Sequence, residues 1–175
     1  GENTVKAVKA FQKSRGLTQD GVAGKSTIKY LFGVETSPTY KTEKPDWFDG
    51  GSELIPKGAT FTIKDVNTGE TFKAKRWSGY NHLDAEPLDR QATATMKSVY
   101  GGSWSWTRRA ILILYEGHVY AASMNGYPHG EKTISGNDFE GHFCIHFYNS
   151  RTHETNRVDE AHQAAVARAA KTTWD

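Results

Sequence analysis

"AILILYEGHVYAAS", residues 110–123, is the stretch on which the fold turns. Its first half is apolar at consecutive positions, so a strand here has two apolar faces and reads as deeply buried. Glu116-Gly117 supplies a turn, and "HVYAAS" returns from it, which makes the stretch a β-hairpin. Upstream, "TFTIKDV" (60–66) alternates Phe61 and Ile63 against Thr and Lys. "NTG" (67–69) turns the chain, and "TFKAKRW" (71–77) returns with Phe72 and Ala74 as a second hairpin. Between the hairpins, "PLDRQATATMKSVYGG" (87–102) spaces Leu88, Ala92, Met96 and Val99 for a helix that stops at Gly101-Gly102. Downstream, "GHFCIHFYN" (141–149) reads as a further strand, and "VDEAHQAAVARAA" (158–170) as a helix capped by Asp159. Residues 58–175 therefore read as an α+β domain built on an antiparallel sheet with flanking helices.

The first 57 residues follow other rules. Residues 34–57 carry three prolines and a Gly pair with no helical or strand period, which predicts a semi-extended linker pinned in part by Trp47 and Phe48. Before it, "TVKAVKAFQ" (4–12) sets Val5, Val8 and Phe11 on one helical face, with Thr4 as N-cap and Gly16 as the stop. Asp20-Gly21 turns the chain, and "KSTIKYLFG" (25–33) reads as a second short helix. Two such helices bury little apolar surface, so this piece is expected to be marginal alone.

Residues 1–33 resemble part of the small helical peptidoglycan-binding repeat of bacterial wall enzymes. The resemblance is carried by Ala7-Val8, Phe11-Gln12, Gly16-Leu17, Asp20-Gly21, Gly24, Thr27 and Leu31. That family has a further helix upstream of the matched part. The resemblance implies peptidoglycan as the partner and a wall-associated, extracellular location.

Bulk properties narrow the classes further. The net charge is +2, and the Lys and Arg residues are scattered rather than clustered, which argues against nucleic acid. No apolar run approaches the ~20 residues that span a bilayer. Nothing at the N-terminus, which opens with "GENT", has a signal-peptide pattern. A single cysteine excludes an internal disulfide framework and any Cys-rich zinc module.

That cysteine, Cys144, lies between His142 and His146, and all seven histidines fall after residue 80. Period-two alternation puts His142, Cys144 and His146 on one face of a strand and Phe143, Ile145 and Phe147 on the other. A merely structural thiol belongs on the phenylalanine face, and this one is not there. Beside imidazoles a thiol ionises more readily, and a thiolate with a base in reach is equipped for acyl transfer. The candidate base is His129, fifteen residues upstream in the Pro- and Gly-flanked loop "NGYPHG", which also holds Asn125 and Gly130. His82, with Asp84 and Glu86 nearby, reads as a polar rim or a site wall. His118 and His162 read as solvated or capping residues, and His153 as a loop residue.

"PHG" followed by "HFCI" resembles the active-site motif of the L,D-transpeptidase catalytic domain. His129-Gly130 match its HG pair, and His142, Cys144 and Ile145 match its Ser-His-Gly-Cys-aliphatic run. Gly141, Phe143 and His146 stand where that motif has Ser, Gly and Arg. The resemblance implies Cys144 as nucleophile, His129 as general base and His142 as an orienting residue. His146, Gly130 and Asn125 would lie at the substrate, with no cofactor needed. The reaction implied is attack on the carbonyl of a diamino acid in a peptidoglycan stem peptide, with backbone N–H groups near Cys144 as the oxyanion hole. Two other readings stay open. His142, Cys144 and His146, completed by His82 or Asp84, have the donor types of a zinc peptidase, although no helical His-Glu-x-x-His run is present. A non-catalytic wall-binding module would instead use "WSW" (104–106) to stack on sugars.

Overall fold

The computed structural model describes residues 1–32 and 40–174. It divides the chain into two compact units, 1–39 and 40–175.

In the first unit α1 spans Glu2–Ser14 and α2 spans Lys25–Phe32. The helix starts earlier than the Thr4 cap predicts. Gly1 is the N-cap, and Thr4 N donates to the Gly1 carbonyl. Val5, on the predicted apolar face, is 43% exposed, and the buried residues among 1–32 are Gln12 and Thr27. Gln12 organises the turn between the helices. Its Nε2 donates to Asp20 Oδ1 (2.6 Å), the Val22 carbonyl (2.9 Å) and Thr27 Oγ1 (3.1 Å), while its Oε1 accepts from Gly21 N (2.9 Å). A buried amide satisfied on both ends replaces the apolar core that two short helices cannot build.

The second unit is α+β and antiparallel, as the alternation predicts. Its strands are β1 (Thr42–Glu43), β2 (Thr60–Asp65), β3 (Thr71–Ser78), β4 (Leu83–Pro87), β5 (Arg109–Tyr115), β6 (His118–Met124) and β7 (Phe143–His146). The sheet order is β1-β6-β5-β2-β3-β4-β7, and β7 also pairs with β6 through Ser123–His146 and Met124–Ile145. Strands β2 to β7 therefore close on themselves as a six-stranded barrel with every pairing antiparallel. The short β1 lies parallel along the other end of β6. Closure removes the exposed edges an open sheet would leave.

The inward residues form one core. Ile63, Ala74, Leu83, Ala85, Ile111, Ile113, Met124, Phe143 and Ile145 are fully buried there. Helix α3 (Arg90–Val99) adds Ala92, Met96 and Val99 to the same core. It is capped by Asp89, whose carboxylate accepts from Ala92 N at 2.8 Å. On the outer face, Ala110, Leu112, Val119 and Ala121 pack with Ala165 and Ala169 of α4 (Glu160–Ala169). This explains why β5 is apolar on both faces. Asp159 caps α4 as predicted, accepting from His162 N at 2.8 Å.

The linker boundary needs correction. Residues 34–39 lie outside the described residues, but 40–57 belong to the barrel unit. Trp47 is fully buried, stacks on Phe147 (5.6 Å) and donates its Nε1 to the Tyr80 carbonyl at 2.7 Å. Ile55 is buried beyond a single 3-10 turn at Gly51–Glu53. A segment that buries isolated anchors rather than a face has no period to read, which is why it resembled a linker. Phe48, the other expected pin, is exposed.

Candidate active site

Strand β7 presents the alternation the sequence predicts. Phe143 and Ile145 fill the barrel, while Cys144 and His146, with His142 just before them, face outward. Opposite Cys144 in the β4–β7 register stands Asp84, so a thiol and a carboxylate lie side by side on the outer face, Sγ 4.0 Å from Oδ1. Phe143 points into the core, away from the face that carries Cys144.

His129 reaches this face on the loop between β6 and β7, and that loop is fastened at several points. Its ends close on each other: His129 N donates to the His142 carbonyl (3.1 Å), and His142 N to the His129 carbonyl (2.9 Å). The buried Glu86 carboxylate accepts from Thr133 N (2.8 Å), the Thr133 hydroxyl and Ile134 N (3.0 Å). Asn137 donates its amide to the Pro87 carbonyl, and Phe139 inserts into the core beside Phe143. Two glycines permit the close approach. A Cβ on Gly130 (φ +65) would meet the His142 ring, and one on Gly141 (φ +135) would strike the His129 backbone. The second clash leaves no room for a side chain at Gly141.

The result is a thiol–imidazole pair. Cys144 Sγ lies 3.2 Å from His129 Nε2, and His129 Nδ1 lies 2.8 Å from the Tyr127 carbonyl. A carbonyl only accepts, so Nδ1 carries the proton and Nε2 is left to face the thiol. His142 packs against His129 (ring centroids 4.5 Å apart) and Trp77, and its own Nδ1 donates to the Glu131 carbonyl at 3.1 Å.

The electrostatics shift the pair toward its ionised form. Burial alone pushes the Cys144 thiol up, but the imidazoles of His129 and His82 outweigh it and hold the thiol below its ordinary value. Burial disfavours charge on His129, yet the thiolate and the Tyr127 carbonyl raise it above the usual histidine range. His82, buried at the Asp84 carboxylate, is pushed up to about 10 despite its desolvation, by Asp84, Cys144 and the Arg151 carbonyl. Asp84 is lowered against the pull of burial by His82 and the neighbouring imidazoles. His142, by contrast, is lowered by burial.

A cavity of about 440 Å³ opens at this pair, walled by Trp106, Arg108, Asn125, His129, His146 and His153. Residues 1–31 match the peptidoglycan binding domain family. No curated protein and no solved structure matches the chain.

Of the residues the sequence pointed to, Cys144, His129, His146 and Asn125 meet at the cavity, whereas His142 and Gly130 lie outside its lining and support His129. Asn125 is buried, its Oδ1 without a hydrogen-bond partner. His146 is sandwiched between His82 (4.5 Å) and His162 (3.7 Å), and crowding by burial and neighbouring cations holds it far below the usual histidine range. The zinc set His142, Cys144 and His146 does not converge. Among the described residues the donors that do are His82, Asp84 and His153. The reading of His162 is also corrected. Rather than solvated or capping through its side chain, it is buried on α4 with Nδ1 2.8 Å from Ser123 Oγ. His153 sits 3.6 Å from Asp84. The "NHLD" run contained the signal for His82 and Asp84, since period two aligns Asp84 with Cys144 once the strands pair. His153 and His162 had none, because only the closed fold brings them there.

Proposed function

We propose that the barrel unit is a cysteine acyltransferase or peptidase acting on peptidoglycan stem peptides, held at the wall by the helical unit outside the cell. The observation that carries this reading is the 3.2 Å contact of Cys144 Sγ with His129 Nε2, the ring's other nitrogen being committed to a backbone carbonyl. This is the nucleophile–base–orienter arrangement that thiol acyl transfer requires.

In the reaction His129 takes the Cys144 proton, and the thiolate attacks the carbonyl of a diamino acid residue. The tetrahedral adduct collapses as His129 returns the proton to the departing amine, leaving a thioester on Cys144. An incoming amine or water, deprotonated by His129, then takes the acyl group and regenerates the thiol. Trp106, stacked on Tyr127 and 4.9 Å from the His129 ring, shields one side of the base. The match of residues 1–31 to a peptidoglycan-binding family supports the choice of substrate, because tethering raises the local concentration of wall peptides.

Purified wall material digested with the protein and with Cys144→Ala tests the reading. New muropeptides are expected from the first alone; equal patterns would remove the nucleophile.

A further inference from the structure

A second chemistry is built into the same face. His82 donates Nδ1–H to the Arg151 carbonyl at 2.7 Å, which leaves its Nε2 aimed at Asp84 Oδ1, 3.3 Å away. That Nε2 is buried and paired with Asp84 by charge rather than by an aligned hydrogen bond, so an ion binding there displaces its proton. His82 and Asp84 are 1% and 3% exposed. His153 Nε2 approaches the same oxygen from the cavity side at 3.6 Å, and the donor atoms of the three residues all lie within 4.8 Å of one another. Zinc bonds of about 2.0–2.1 Å to nitrogen and oxygen, at tetrahedral angles, set such donors roughly 3.3 Å apart. The spacing therefore needs little adjustment to close around an ion.

The surroundings fit as well. A histidine ligand ordinarily gives its other ring N–H to a carbonyl or carboxylate, which fixes its orientation, and Arg151 does this for His82. His153 is half-exposed and lines the cavity, which gives an ion a way in. Two imidazoles and one carboxylate suit a borderline cation of the zinc class better than calcium or magnesium, which prefer all-oxygen sites.

We propose that His82, Asp84 and His153 form a binding site for a zinc-class divalent cation, and that an ion held there covers Cys144. Cys144 Sγ lies 4.0 Å from the shared Asp84 oxygen, so an ion on these ligands would sit beside the thiol. Occupancy takes up Asp84 and places a cation at the nucleophile, so metal switches the thiol off and chelation restores it. The regulatory meaning rests on the proposed acyl transfer; the site itself does not.

The test uses the full chain stripped with chelator and titrated with zinc alone, reading bound metal by elemental analysis and calorimetry and the thiol by iodoacetamide labelling. One zinc per chain is expected. His153→Ala, at a half-exposed position with the fold checked by circular dichroism, should weaken binding by at least about tenfold, as losing a ligand does. Cys144→Ala should still bind one equivalent. Zinc should slow labelling of Cys144 in the parent and not in His153→Ala. No binding, binding unchanged in His153→Ala, or binding abolished in Cys144→Ala would overturn the site. Zinc bound without slowed labelling would overturn the cover over Cys144. Metal-free parent that is inactive on wall material, yet takes up one zinc on titration, would overturn the acyl-transfer reading and leave the site standing.

Discussion

The two units of this chain are held together in opposite ways. In the helical unit the buried residues are polar, and Val5, Val22, Tyr30, Leu31 and Phe32 are exposed. In the barrel unit the interior is a continuous apolar core of Ile, Phe, Leu and Met side chains, and the polar residues that matter are on its outer face. A scaffold whose stability comes from a closed core can hold a thiol, a carboxylate and several imidazoles at fixed distances outside that core. The helical unit, organised around one glutamine, has no such reserve. Chemistry is therefore expected in the barrel and recognition in the helices.

Substitutions can break or sharpen this contrast. The largest effect is expected at His129: its replacement by alanine should slow turnover on stem peptides by about 10²–10⁴-fold, the usual range for a general base. The barrel should stay folded, because the ring lies outside the core. A collapse of near-ultraviolet dichroism would mean the site and the scaffold are not separable. Next, Ile113→Ala in the barrel interior should cost about 2–5 kcal/mol in urea unfolding, the range for truncating a fully buried aliphatic side chain.

In the helical unit the sensitive position should be polar. Gln12→Ala leaves Gly21 N without its acceptor and removes one donor each from Asp20, Val22 and Thr27, which costs about 1–3 kcal/mol. Amide exchange within residues 1–32 should report that loss. Truncating exposed Val5 to alanine should change the same exchange by less than about 0.5 kcal/mol. If Val5 proves the more costly of the two, the helical unit has an apolar core after all.

Acid should also separate the units, since every histidine lies in the barrel unit. Burial, with Arg108 beside it, pushes His162 down to about 3, against the counter-pull of Asp159 and with His146 and His82 nearby. The unfolded chain binds that proton near pH 6.5 and the folded one does not, so stability falls as pH drops below 6.5 and is lost progressively toward 3. Between pH 7 and 5 this one residue removes about 1–2 kcal/mol from the barrel. His82 and His129, both raised, act in the opposite sense, so thermal melts of the parent and of His162→Gln are compared. The parent's barrel transition should fall further across that range, and equal shifts would mean His162 is charged in the folded state.

Much of this arrangement was legible in the sequence, for definite reasons. Both hairpins, α3, α4 and the Asp159 cap follow from local period and turn chemistry. Cys144 and His129 stood out because alternation removed the thiol from the phenylalanine face, and a Pro-Gly loop placed an imidazole fifteen residues before it. Barrel closure was not legible, since two residue pairs between β6 and β7 complete it and no local pattern encodes a contact across the whole domain. Trp47 was read as a pin, but Ile55 and the membership of residues 40–57 in the barrel unit were missed because single anchors have no period. His153 and His162 were missed because their partners, Asp84 and His146, meet them only in the closed fold.

The central claim is that Cys144 carries the acyl group, and intact-protein mass spectrometry during turnover tests it most directly. Mixed with a tetrapeptide stem, the protein should gain the mass of the stem's tripeptide acyl group. The adduct should map to Cys144, be released by hydroxylamine and be absent from Cys144→Ala. Product formed by Cys144→Ala at the parent rate would contradict the account.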